Sequence, residues 1–140
     1  MILIIEGIFV GLNSSILSNL YQQRAKQTLK QDIILVKRLA EDNSHERYSQ
    51  IFADSDLRFT LIDKNGKVEY DSKNVSREEH MDNHLERKEV QEALQGQEGF
   101  DIRKSKTMGY VLAYYATGFE NKFGEEYIIR TSSDYSKELR

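Results

Sequence analysis

Residues Val68–Thr107 decide how the chain is read: V-E-Y-D-S at Val68–Ser72, a polar loop, N-H-L-E-R-K-E-V-Q-E-A-L-Q-G at Asn83–Gly96, and G-F-D-I-R-K-S-K-T at Gly99–Thr107. The first piece alternates as a strand does. The second is amphipathic, and its spacing predicts a helix over His84–Gln95, with Asn83 at the N-cap, Glu86 three residues on as in a capping box, and Gly96 as the stop. The third resumes a β-rich pattern. The stretch contains no nucleophile elbow, no phosphate loop and no cysteine, so it points to a scaffold of mutually supporting polar residues rather than to a reaction.

Working outward, Leu57–Asp63 (L-R-F-T-L-I-D) alternates apolar and polar residues and is joined to V-E-Y-D through Lys64-Asn65-Gly66, the pattern of a hairpin with an Asn-Gly turn. Phe100–Ser105, Tyr110–Thr117 and Glu126–Ser132 supply further strands rich in Val, Ile, Tyr and Thr. Upstream, Ile16, Leu17, Leu20, Tyr21, Ala25, Leu29, Ile33, Val36, Leu39 and Ala40 recur at helical spacing. One helix of roughly 28 residues, about 42 Å long, accounts for them. Glu41–Ser44 reads as its end, and His45–Phe52 as a short second helix. Short connections between strands make neighbours antiparallel, so the fold class is α+β: a five-stranded antiparallel sheet with a long N-terminal helix and shorter helices packed on it.

The first residues, M-I-L-I-I-E-G-I-F-V-G-L, are nearly all apolar. They are compatible with a signal-peptide core, a core helix of a soluble protein, or the outward end of a transmembrane helix, which needs about 20 apolar residues in all. The last is preferred because the run starts at full hydrophobicity; Glu6 is its one misfit. The expected division is residues 1–12 as that membrane end, 13–44 as a long signalling helix, and 45–140 as the folded core.

With 140 residues there is chain for one core. Lys and Arg number 20 against 23 Asp and Glu, for a net charge of −3 with the signs interspersed, which excludes a basic nucleic-acid surface. Cys is absent, so disulfides, thiolate metal sites and Cys catalysis are excluded. Pro is absent too, which leaves turns to Gly, Asn and Asp.

The chain resembles the extracytoplasmic, PAS-like (Cache or PDC) sensor domain of Gram-positive sensor histidine kinases of the phosphate-regulon type. The resemblance is carried by R-F-T-L-I-D-K-N-G-K-V-E-Y-D-S at Arg58–Ser72, M-D-N-H-L-E-R-K-E-V at Met81–Val90, A-L-Q-G at Ala93–Gly96, R-K-S-K-T at Arg103–Thr107 and Y-Y-A at Tyr114–Ala116. It implies a signal-input module of a two-component kinase, outside the cell membrane and flanked by two spans, with the phosphoacceptor and ATP-binding regions elsewhere in the parent protein. No catalysis and no cofactor is then expected of this chain. Its partners would be the membrane, a second copy paired through the N-terminal helix, and a small anion or a protein. The alternative is a small-molecule-binding Cache-type input domain of a chemoreceptor or other membrane receptor.

Asp71, His84, Arg87, Glu89, Arg103, Ser105 and Tyr114 are the candidate site residues, because strand ends and helix start must converge in such a fold. They either brace one another or contact a ligand. If an anion binds, Arg87 and Arg103 are its expected partners, helped by Ser105 and Tyr114. His80 and His84 lie four apart, but a cap at Asn83 puts them on different local structures, so no metal site is expected. Tyr110, Tyr114, Tyr115, Phe119, Phe123 and Tyr127 read mainly as core and cross-strand aromatics.

Overall fold

The computed structural model describes residues 2–40, 52, 54–55, 57–73, 82–105 and 109–137. Helix α1 runs unbroken over Ile2–Ala40, 39 residues and about 58 Å, with Lys37 and Arg38 in the last turn, where the helix dipole favours cations. The apolar run and the amphipathic stretch are therefore one helix, longer than the periodicity suggested. Its two halves differ in what they touch. Ile2, Leu3, Ile4, Ile5, Ile8, Phe9, Val10, Leu12, Ile16, Leu17 and Leu20 are exposed, whereas Ala25, Leu29, Ile33, Val36 and Ala40 form a buried stripe. The expected helix end at Glu41–Ser44 and the short helix at His45–Phe52 lie outside the described residues, apart from Phe52, which is buried edge-on to Phe59 at 4.9 Å between ring centroids.

The strands are β1 Arg58–Asp63, β2 Val68–Asp71, β3 Gly99–Lys104, β4 Val111–Glu120 and β5 Glu126–Asp134. They form one five-stranded sheet in the order β2-β1-β5-β4-β3, with every neighbouring pair antiparallel. With the long helix on one face and a short one on the other, this is an α+β, PAS-like arrangement. Asp63 closes the β1–β2 turn: its carbonyl accepts from Gly66 N at 3.0 Å and its carboxylate from the backbone N–H of Asn65 and Lys67. Gly66 adopts φ +85°, and a Cβ there would also collide with Asn83 Oδ1 and the Leu85 backbone.

The short helix α2 spans Lys88–Leu94, so the expected start at His84 is corrected. Asn83 does not cap it. The Asn83 carboxamide accepts from Leu85 N and donates to Asn65 O, both at 2.8 Å, while the His84 N–H goes to Gly66 O at 2.8 Å. Asn83 and His84 are thus committed to the β1–β2 turn, Leu85 and Arg87 close a local turn back onto them, and the helix begins only beyond it. Gly96, at φ +79°, ends α2 as expected, its N–H bonding Ala93 O at 3.1 Å.

Alternation assigns each strand's residues to two faces. Phe59, Ala113, Tyr115 and Ile129 pack against the α1 stripe and form the larger apolar core. On the other face Ile62, Val68, Ala116 and Ile128 pack with Val90 and Ala93 of α2. Thr60, Arg130, Tyr114 and Asp101 also belong to that second face, since Thr60 pairs with Arg130, Arg130 with Ala116, and Asp101 with Tyr114.

Candidate functional site

The polar groups of the second face converge on Glu89, one residue into α2 and fully buried. Arg103 of β3 grips its carboxylate with two bonds, at 2.6 and 2.8 Å, and Arg130 of β5 adds one at 3.1 Å. Both guanidiniums lie over the Tyr114 ring, Arg103 at 3.9 Å and Arg130 at 4.8 Å from its centroid. Asp101 takes a further bond from Arg103 at 3.0 Å. From Arg130 the network continues to Thr60 at 3.4 Å and from Thr60 to Asp71 at 3.5 Å; Asp71 is held by Arg58 through three contacts of 2.7–3.1 Å. One chain of hydrogen bonds therefore crosses the sheet from β3 to β2.

Gly99 makes the close approach possible, because a Cβ on it would collide with the Glu89 carbonyl. Burial raises the Glu89 pKa, but the Arg103 bonds and the charges of Arg130 and Arg103 outweigh it, so the group sits below the usual carboxylate value and is ionised. Arg103 shows the complementary result: burial lowers its pKa, and the bond and charge of Glu89 more than reverse this. Complete burial lowers Arg130 despite Glu89, yet a guanidinium has enough margin to stay charged. His84 is pushed down to about 3, first by burial and then by the charges of Arg130 and Arg87, and is neutral at ordinary pH.

Of the seven expected residues, Glu89, Arg103 and Tyr114 form the centre of the cluster. Asp71 joins it through Thr60, its main partner being Arg58 rather than Arg87 or Arg103. His84 lies close enough to Arg130 and Glu89 to feel their charges, while Arg87 is half-buried and its guanidinium has no hydrogen-bond or ion-pair partner among the described residues. Ser105 lies past the end of β3, where its backbone bonds Tyr110 and Gly109. Arg103, expected to face an anion, is occupied by Glu89 and Asp101. The aromatics divide: Tyr114 and Tyr115 are buried on opposite faces, and Phe123 is 65% exposed.

Sequence reasoning missed Arg130, Arg58, Thr60, Asp101 and Ser132. The signal was present in I-I-R-T-S at Ile128–Ser132, where a charge alternates with Ile128 on one side of a strand. Three buried atoms of this face have no hydrogen-bond partner among the described residues: His84 Nδ1, Arg130 Nε and Ser132 Oγ. Such atoms call for a water, an ion or a ligand group. An open groove of about 380 Å³ lies at the other end of α2, lined by Ala93, Leu94, Gly118, Phe119, Tyr127 and Ile128, and none of the cluster's arginines reaches it. Among the described residues no group of His, Asp and Glu is placed to hold a metal.

No family model matches this chain, and no curated protein matches it. Among solved structures, it is similar to the crystal structure of the extracellular domain of a provisionally assigned histidine kinase, rpHK1S-Z16, with a TM-score of 0.53 at 15% identity. The match covers 94% of this chain and 61% of that one. At that identity the likeness is one of fold.

Proposed function

We propose that the chain is the extracytoplasmic signal-sensing domain of a membrane-bound two-component sensor histidine kinase. The observation that carries this is the division of α1. Its first half is exposed and apolar, with an 18-residue window of mean hydropathy 1.5 and none of it buried, and the same helix then packs on a PAS-like sheet. A helix with those two halves ties a bilayer to a folded domain. The fold shared with the extracellular domain of rpHK1S-Z16 supports the reading, and the motifs from Arg58 to Ala116 favour the Gram-positive phosphate-regulon type. In the parent protein α1 would pair with its copy in a second subunit; Ile34 and Leu35, 54% and 51% exposed, lie off the buried stripe and are available for it.

The input belongs on the second face of the sheet. Glu89 and Arg103 brace it, and Arg130 Nε, Ser132 Oγ, His84 Nδ1 and the Arg87 guanidinium, none of which has a hydrogen-bond partner among the described residues, suit a small oxyanion or carboxylate. Alkaline phosphatase, active only outside the cytoplasm, fused after Arg140 tests the topology. Active fusions are expected, and inactive ones would refute the extracytoplasmic placement. Thermal shifts of the purified chain with phosphate, sulfate, acetate and citrate test the input. A stabilising anion whose effect disappears in Arg87→Ala or Ser132→Ala is expected, and no shift with any of them would leave the cluster a brace. A chemoreceptor input domain would share this geometry, and autophosphorylation of the parent protein separates the two.

A further inference from the structure

The cluster on the second face and the turn of α1 on the first are joined through the sheet. Arg130 sends its guanidinium to Glu89; the next residue, Thr131, points the opposite way, and its hydroxyl donates to the Leu29 carbonyl of α1 at 3.0 Å, with Leu29 and Thr131 both fully buried. A second route runs around the end of α2. Glu98, the residue before Gly99, accepts from Tyr115 Oη at 2.9 Å and from Lys30, and lies 3.6 Å from Lys26. Gly99 in turn rests on the backbone of Glu89.

The Thr131–Leu29 and Lys30–Glu98 hydrogen bonds and the Lys26–Glu98 ion pair tie α1 to the rest of the fold within the single turn Lys26–Lys30. Elsewhere α1 is held by Ala25, Ile33, Val36 and Ala40, whose apolar contacts do not prescribe a direction. Directional bonds set the rotation and axial position of a helix on its sheet, whereas apolar packing tolerates small slides. The first of these bonds starts one residue from Arg130, and the second set starts one residue from Gly99, which lies against the Glu89 backbone.

We infer that Thr131 and Glu98 are positioning residues that register the Lys26–Lys30 turn of α1 to the Glu89–Arg130 cluster, so that a change on one face of the sheet is felt by the helix on the other. Thr131 acts directly through the sheet, and Glu98 acts around its edge. The inference rests on the reading of α1 as the output element. Its test uses the 140-residue chain itself in detergent micelles, so it fails separately from any assay of the parent kinase.

The test is native-state amide hydrogen exchange in a double-mutant design. Arg103→Lys loosens the grip on Glu89, with Asp101→Asn as a gentler substitute if that variant does not fold. Thr131→Val with Glu98→Ala cuts both routes, since Glu98 is the shared partner of Lys26, Lys30 and Tyr115, and the Leu29 carbonyl keeps its helical bond. With the routes intact, Arg103→Lys is expected to speed exchange of the amides from Lys30 to Ile34 by roughly fivefold relative to β4, the size of coupling seen between interacting sites. With the routes cut, the same substitution is expected to leave the α1-to-β4 ratio unchanged. Ile128→Val, which loosens the same face without touching the cluster, is the control and is expected to leave the ratio unchanged. An α1 turn that ignores Arg103→Lys, that responds equally with both routes cut, or that responds equally to Ile128→Val would overturn the proposal.

Discussion

The two faces of this sheet are made by the same strands, with alternate residues, and they solve burial in opposite ways. Towards α1 the buried side chains are almost all apolar, and Leu29, Val36, Phe59, Ala113 and Ile129 are at most 1% exposed. Towards α2 lie, among the described residues, the buried charges Asp71, Glu89 and Arg130. The apolar face gains stability from area removed from water, at about 25 cal/mol per Å². The charged face gains less, because desolvating an ion offsets most of the attraction between partners. What it gains instead is direction, since Arg103 and Arg130 each meet the Glu89 carboxylate at hydrogen-bond distance, and three buried polar atoms on the same face have no hydrogen-bond partner among the described residues.

Removing one charge from the cluster should have the largest effect. Glu89→Ala leaves two arginines without their buried partner and should lower unfolding free energy by about 3–5 kcal/mol in urea titrations. Leu29→Ala, the matching truncation on the apolar face, should cost about 2–5 kcal/mol. The sharper distinction lies in salt and pH, since only the Glu89 difference should depend on them. If both variants respond alike to pH, the faces do not differ as described. Gly99→Ala should come next, at about 1–3 kcal/mol, because its Cβ drives the Glu89 backbone away from β3.

The pH profile should belong to the charged face. His84 has its pKa depressed to about 3 from 6.5, so the unfolded chain takes up a proton first. Its contribution is complete above about pH 6.5 and is lost progressively as pH falls towards 3. Glu89, also depressed, has its full contribution above its ordinary value of 4.5 and loses it below that. His84→Asn should therefore flatten the stability curve between roughly pH 6.5 and 4.5, and leave the steeper fall below it. An unchanged slope in that window would mean His84 is not buried beside Arg130. The smallest effect is expected of Lys30→Met, whose ion pair with Glu98 is half exposed on both sides and should change stability by less than about 0.5 kcal/mol.

Much of the fold was legible because it depends on short-range pattern. The strands begin within a residue of their expected starts, and Gly66 and Gly96 mark the turn and the helix end they were read as. The helix start was misread because Asn83 has two uses, and its commitment to Asn65 across the fold outweighed capping. Of the cluster, Glu89, Arg103 and Tyr114 were legible as an acid, a base and an aromatic on adjoining elements.

Arg130 was not legible, and the reason is distance along the chain. In I-I-R-T-S the alternation says only that Arg130 and Thr131 face opposite ways. Which side is covered, and by what, depends on α2 and Glu89, 41 residues earlier. The same holds for Thr131, whose acceptor on α1 lies 102 residues away. By itself the sequence determined the α+β class, the starts of the strands and the helical spacing of the apolar stripe, since periodicity and turn chemistry act over a few residues. Only the tertiary structure decided that one face of the sheet buries charge and the other does not, because burial is set by what packs on a face.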